Sequence, residues 1–114
     1  MTAGSKRGGL RIIWRGAHVG TLVNLEIDRS IWDGQFCAEA SPEAEAFAKL
    51  ATSLDFLTTI NSPKSGTRVE LWPIGKTGTE PIHALVLQLD SGGRLCLEVV
   101  RSREDVERLK IDVT

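Results

Sequence analysis

The chain has 114 residues, which is enough for one domain that buries a core without disulfide or metal support. Apolar residues make up 41% of the sequence and charged residues 25%, a balance typical of a globular protein and not of a disordered one. The formal net charge is −1, so the strongly basic surface of a nucleic-acid-binding domain is not expected.

The first residues are polar and rich in glycine, and we expect a flexible N-terminal segment, 1–8, followed by a single domain, 9–114. The two basic residues near the start precede no apolar stretch of the kind found in secretion signals. No apolar run approaches the roughly 20 residues that cross a bilayer. These features predict a cytoplasmic protein without a membrane segment.

Alternating apolar residues predict a short strand from Arg11 to Arg15, with Leu10, Ile12 and Trp14 on one face, and a second strand along 19–27. The intervening Gly16-Ala17 suits a two-residue type II′ turn, because glycine is favoured at the first position of that turn. This register pairs Trp14 with Val19 and brings the apolar faces of both strands together. We therefore predict an antiparallel hairpin at the start of the domain.

The stretch RSIWDGQF allows two positions for the next turn. A turn at Arg29-Ser30 places Ile27 opposite Trp32 and directs the tryptophan into the core. A turn at Asp33-Gly34 directs Trp32 to the other face, because a change of one residue inverts the alternation. Asp-Gly is the better pair for a type I′ turn, in which both central residues have positive φ. The second alternative is therefore preferred.

One main helix is predicted to begin at Ser41-Pro42, where serine is a good N-cap and proline suits the first helical position. Apolar residues then recur at helical spacing from Phe47 to Leu57, and the helix should end before Asn61-Ser62-Pro63. The face that contains Phe47, Leu50 and Leu54 is expected to pack on the sheet.

Strands return in the second half of the chain, beginning near Val69 and again at Ile82. A turn at residues 90–93 pairs Leu89 with Leu95, Leu87 with Leu97 and Leu85 with Val99. A short C-terminal helix should begin at Ser102.

The order βββαβββ plus a short helix predicts an α+β fold, with an antiparallel sheet or a bent pair of three-stranded meanders packed against one main helix. Periodicity does not decide whether the sheet is a single layer or a closed barrel.

No catalytic, cofactor or metal site is predicted. Gly75-Lys76-Thr77 resembles the end of a phosphate-binding loop, but Glu70 stands where the pattern needs glycine. His18, His83 and the two cysteines lack the close spacing of zinc ligands. No serine or cysteine has the local setting of an activated nucleophile.

Charge distribution favours a protein partner. Residues 26–55 carry seven acids against Arg29 and Lys49, a region suited to a basic partner. We therefore predict a non-catalytic protein-binding module of the antitoxin, immunity or inhibitor type. Its acidic, aromatic-tipped surface would use Trp32 as an anchor. The acids expected around that anchor are Asp28, Asp33, Glu39 and Glu43.

Two alternatives remain from other classes. The first is a small enzyme or ligand-binding protein with a pocket between helix and sheet, in which His18, His83 or Asp28 takes part. The second is a homodimer formed through an uncovered strand edge. Nucleic-acid binding through the basic start of the chain is not expected, because Trp14 is assigned to an apolar face.

Overall fold

The computed structural model describes residues 9–75 and 80–99. Six antiparallel strands form a closed barrel in the order β1-β2-β3-β6-β5-β4, and β4 pairs back with β1. The strands are β1 (Leu10–Trp14), β2 (Ala17–Asp28), β3 (Ile31–Ala38), β4 (Thr67–Pro73), β5 (Ile82–Leu89) and β6 (Arg94–Val99). The helices are α1 (Pro42–Thr52) and α2 (Phe56–Asn61), followed by a short 3₁₀ helix, Pro63–Ser65.

The predicted α+β packing against one main helix is wrong. Strand accounts for 53% of the structure and helix for 22%, and the sheet closes on itself. The order of three strands, a helix and three strands is present, but β3 pairs with β6 and β4 with β1. These long-range pairings close the ring, and the periodicity within a strand does not specify them. The predicted flexible segment 1–8 and the C-terminal helix at Ser102 lie outside the described residues.

The core lies inside the barrel because alternate residues of each strand face inward. The interior positions of β1 and β2 include Leu10, Ile12 and Leu22, and those of β6 are its odd-numbered residues. The buried side chains of this interior cluster are Leu10, Ile12, Trp14, Val19, Leu22, Ala44, Phe47, Ala51, Val69, Leu71, Ala84, Val86, Leu89, Leu95, Leu97 and Val99.

Helix α1 closes one end of the barrel. Its start is as predicted, since the Ala44 backbone N–H donates to the Ser41 hydroxyl over 3.1 Å and Pro42 occupies the first turn. Phe47 is fully buried, with its ring 5.4 Å from that of Trp14 and 5.5 Å from that of Phe36. The barrel end near Phe47 is called the α1 end below.

The predicted single helix is divided in two. Helix α1 ends at Thr52, and α2 begins after Asp55, whose carboxylate accepts a hydrogen bond of 3.0 Å from the Thr58 backbone N–H. A new N-cap thus begins a second helix. Leu57, expected on the sheet-facing side, is 67% exposed.

Helix α2 packs on the outside of the barrel, over Leu85 and Leu87. This contradicts the predicted pairing of Leu87 with Leu97 and of Leu85 with Val99. A bulge between Val86 and Gln88 shifts the β5–β6 register. Leu89 still pairs with Leu95 as predicted, but Val86 pairs with Leu97 and Ala84 with Val99. Beyond the bulge, Leu85 and Leu87 therefore face outward.

The first hairpin also turns one residue earlier than predicted. Arg15 and Gly16 form the turn with φ of 53° and 82°, and Trp14 pairs with Ala17 rather than with Val19. Positive φ at both central residues is the type I′ conformation. A bulge between Ile12 and Ile13 then lets Trp14 and Val19 both reach the interior.

Candidate functional site

The hairpin of β2 and β3 turns at Arg29-Ser30, and the preferred turn at Asp33-Gly34 is wrong. Ile27 pairs with Trp32 and Asp28 with Ile31. Trp32 therefore points inward and packs against the interior cluster, half-buried at the end of the barrel opposite α1.

Gly34 is instead a buried strand residue. An added Cβ would lie 2.6 Å from the Val23 carbonyl oxygen, so glycine is needed for the close approach of the two strands. The glycine that resembles a turn signal in the sequence thus serves the packing of β2 on β3.

Asp33 faces outward from β3 and forms an ion pair with Arg94 at the start of β6. The Arg94 guanidinium donates to the Asp33 carboxylate, and its Nη2 atom lies 3.7 Å from Oε1 of Glu26. The hydrogen bond with Asp33 raises the pKa of Arg94 above its usual value. Arg94 thus links two acids from neighbouring strands on one surface.

Asp90 shapes the adjoining turn between β5 and β6. Its Oδ1 atom accepts hydrogen bonds from the backbone N–H groups of Gly92 (2.8 Å) and Arg94 (3.0 Å). An aspartate that binds the backbone ahead of it stabilises a turn of this kind. The same carboxylate is exposed and lines one surface depression together with Arg94.

An open depression of about 200 Å³ lies on this outer surface, lined by Asp33, Gln88, Asp90, Arg94 and Cys96. Burial, and then the negative charge of Asp33, raise the pKa of the Cys96 thiol to about 11. A thiol with a raised pKa is a poor nucleophile at neutral pH. The depression thus offers charged and polar groups but no activated thiol.

The tip of the hairpin carries Ile27 and Asp28 beyond the Glu26–Asp33 pair. Ile27 is 56% exposed and the side chain of Glu26 is 78% exposed. Glu26 and Asp28 are two residues apart in β2, so they face the same side of the strand. The name acidic face is used below for Glu26, Asp28, Asp33 and Asp90.

The five predicted site residues do not converge. Asp28 and Asp33 belong to the acidic face. Glu39 comes directly after the C-terminal end of β3 and Glu43 lies in α1, so both are near the α1 end. Asp33 and Glu39 are six positions apart along the extended chain, about 20 Å at strand spacing. Glu39 instead lies near His18, with 4.0 Å between Oε2 and Nε2.

Glu26, Asp90 and Arg94 are residues of this surface that sequence reasoning missed. Glu26 and Asp33 become neighbours only through a bulge between Val23 and Glu26, where Asn24 has a φ of 54°. Arg94 reaches them because β6 pairs with β3. The acid-rich composition of residues 26–55 was a signal for Glu26, but no local signal points to Arg94.

The sequence also suggested an alternative site, a pocket between helix and sheet. Its two candidate histidines lie on the surface of the barrel. His18 lies at the start of β2 and His83 near the start of β5, and both are exposed. Within residues 9–75 and 80–99, no three His, Cys, Asp or Glu side chains form a group suited to a metal ion. In the same part of the chain, no helix is long and apolar enough to cross a membrane.

Fold and surface together define a small closed β-barrel, plugged by one helix, with a carboxylate-rich outer face. Comparisons with protein-family models, with curated proteins and with solved structures find no match. The chemistry of the surface is therefore the basis on which a function can be inferred.

Proposed function

We propose that this chain is a non-catalytic protein-binding module of the antitoxin, immunity or inhibitor type, which binds a basic partner through its acidic face. The observation that carries the proposal is the charge of that surface. Four carboxylates lie on it, whereas the guanidinium group of Arg94 is the cation that pairs with Asp33 and lies 3.7 Å from Glu26, so negative charge is in excess. Such a surface attracts basic partners and disfavours acidic ones.

Neither Ile27 nor Trp32 belongs to this surface. Successive residues of a strand face opposite sides, so Ile27, which lies between Glu26 and Asp28 in β2 and is 56% exposed, points away from the acidic face. Trp32 packs on the interior cluster. Trp32 is accordingly left out of the proposed surface.

Preorganisation supports the same proposal. Arg94 donates a hydrogen bond to Asp33 and lies 3.7 Å from Glu26, so it draws these two acids together before a partner binds. The Asp28 side chain is exposed and therefore accessible to a cationic group of a partner. A cytoplasmic location belongs to the proposal and is tested by cell fractionation.

The test uses a labelled flexible peptide of lysine, glycine and serine, with a glutamate counterpart of equal length, and follows binding by fluorescence anisotropy. We expect the lysine peptide to bind more tightly, and its affinity to fall when salt rises from about 30 mM to about 300 mM. The double variant Glu26→Gln/Asp28→Asn should weaken binding about threefold to tenfold, since each exposed ion pair contributes up to about 1 kcal/mol.

The matched control is Glu45→Gln/Glu80→Gln, which removes the same charge from exposed acids elsewhere. It should leave affinity nearly unchanged. Equal binding of the two peptides, or an equal loss in both double variants, would refute the proposed role of the acidic face.

A further inference from the structure

A row of three outward side chains crosses neighbouring strands at the surface depression. Gln88 of β5 pairs with Cys96 of β6, and Cys96 pairs with Asp33 of β3. Residues directly opposite each other in antiparallel strands place their side chains on the same side of the sheet. The short cysteine side chain thus lies between two longer ones, and it forms the floor of the depression.

This floor is apolar. Cys96 packs against the cluster of Leu85 and Leu87 beneath α2. Burial, and then the negative charge of Asp33, raise the pKa of the Cys96 thiol to about 11, so the thiol is uncharged at neutral pH. An uncharged cysteine behaves as a small apolar side chain. The floor therefore suits a methylene chain rather than a charged group.

The rim of the depression carries more negative than positive charge. Asp33 and Asp90 both line it, together with Arg94, whose guanidinium donates to Asp33. Asp90 accepts the backbone N–H groups of Gly92 and Arg94, but it forms no ion pair with any residue in 9–75 or 80–99. The rim thus holds one carboxylate whose charge is not balanced by an ion pair.

The size and chemistry of the depression match one long basic side chain. Its volume is about 200 Å³. Pockets for drug-sized ligands are larger, roughly 300–1,000 Å³. Lysine and arginine bury a methylene stem along apolar surface while the charged end stays at a polar rim. An apolar floor beside an unbalanced carboxylate complements both parts of such a side chain.

We propose that the depression takes one lysine or arginine side chain of the basic partner, with its stem along Cys96 and its charged end beside Asp90. This inference rests on the proposed function and specifies which part of the acidic face engages the partner. Gln88 lines the same depression and offers an amide oxygen as a second acceptor. Arg94 remains with Asp33, so the entering cation binds the carboxylate that has no ion pair.

The test uses the full chain and short glycine–serine peptides with blocked ends that differ at one central residue. That residue is lysine, norleucine, which keeps the stem without the charge, or diaminopropionate, which keeps the charge on a shorter stem. Nuclear magnetic resonance titrations at low salt measure the affinities. We expect the lysine peptide to bind about threefold to tenfold more tightly than either of the others, because charge and stem both contribute.

Asp90→Asn removes the charge at the rim and keeps a side-chain oxygen that accepts the hydrogen bonds of the turn. It should weaken the lysine peptide about threefold and leave the norleucine peptide unchanged. The matched control is Asp28→Asn, which removes the same charge from the acidic face outside the depression and should have less than about a twofold effect. Unchanged amide shifts of Gly92 in the free variant show that the turn is retained.

Cys96→Met tests the floor, because the longer side chain fills the depression. It should abolish the preference for lysine over diaminopropionate, since the stem loses the surface on which it lies. Cys37→Met places the same side chain at an exposed position of β3 and should retain that preference. Circular dichroism checks that both variants fold.

Failure of this inference is distinguishable from failure of the proposed function. If the lysine and diaminopropionate peptides bind equally and more tightly than the norleucine peptide, insertion into the depression is refuted while the proposed function stands. Equal weakening by Asp90→Asn and Asp28→Asn has the same meaning. If the norleucine peptide binds as tightly as the lysine peptide, the inference is refuted, and the comparison of lysine-rich with glutamate-rich peptides then decides the proposed function separately.

Discussion

Cys96 and Asp33 face each other across β6 and β3, and the environment of the thiol differs from that of the other cysteine. Cys37 is exposed, whereas Cys96 is partly buried and packs near Leu85 and Leu87. Burial disfavours the thiolate, and the nearby carboxylate of Asp33 acts in the same direction, so the pKa of Cys96 rises to about 11. The position of Cys96 in the barrel wall should therefore make the free energy of unfolding depend on pH at high pH.

The first prediction follows from that shift. An unfolded Cys96 ionises near 9.0, whereas the folded thiol keeps its proton to a pKa of about 11. Between these values the folded state binds more protons, so the free energy of unfolding should fall as pH rises. Urea unfolding of Cys37→Ser between pH 8 and about 11, under reducing conditions, measures this fall. Cys96→Ala in the same background should show a shallower slope, and identical slopes would contradict the prediction.

Within single elements, bulges and close strand contacts set which side chains meet. Gly34 lies close to the backbone of Val23. This close contact occurs in the same β2–β3 register that directs Trp32 inward. A bulge in β5 similarly sends Leu87 outward beneath α2. Both features lie in strands whose apolar pattern alone suggests a different register.

Gly34→Ala tests the close approach of β2 and β3. The added methyl group would sit 2.6 Å from the Val23 carbonyl oxygen, so the strands must separate. We expect the free energy of unfolding to fall by about 1–3 kcal/mol in urea titrations. Gly92→Ala is the control, because its nearest neighbour would be a side-chain oxygen at 3.4 Å. If the Gly34 variant were as stable as the parent, glycine would not be needed for the close approach of β2 and β3.

Leu87→Ala tests the outer cluster under α2. Leu87 is fully buried, so its truncation should lower the free energy of unfolding by about 2–5 kcal/mol. Because Leu87 supports α2 from outside the barrel, hydrogen exchange should accelerate first in Phe56–Asn61. Leu57→Ala, on an exposed side chain of the same helix, should change stability by less than about 0.5 kcal/mol. Uniform acceleration throughout the barrel would contradict a local role.

For the molecule as a whole, α1 acts as the plug of a closed barrel. Trp14, Phe36 and Phe47 come from β1, β3 and α1, and their rings meet at the α1 end. A barrel of six strands needs side chains to fill its interior, and a helix at one end supplies part of that volume. The plug connects strands that are distant in the sequence.

Phe47→Ala should lower the free energy of unfolding by about 3–5 kcal/mol, because it leaves a cavity between two aromatic rings. Loss of the ring contact should also weaken the near-ultraviolet circular dichroism of Trp14. Lys49→Ala, on the exposed side of α1, is the control and should alter neither signal. A Phe47 variant as stable as this control would show that α1 does not plug the barrel.

Local chemistry correctly predicted the Ser41 cap, the pairing of Leu89 with Leu95 and, along the chain, three strands before and three after the helical region. It did not predict the division of the helix at Asp55, because apolar spacing continued across the new cap. For the candidate site, the sequence pointed to Asp28 and Asp33 through an acid-rich region. It also included Glu39 and Glu43, which the length of β3 separates from them.

The sequence by itself determined the strand segments other than β3, and where α1 begins, because alternation and capping act between residues close in the chain. For β3 it favoured a turn at Asp33-Gly34, inside the strand that the structure shows. Only the tertiary structure decided that the sheet closes, that Trp32 turns inward and that Arg94 joins Asp33 and Glu26. Each of these depends on the register between strands, which single-residue bulges change by one position. A shift of one residue transfers every following side chain to the other face. Periodicity within a single strand does not reveal such a shift.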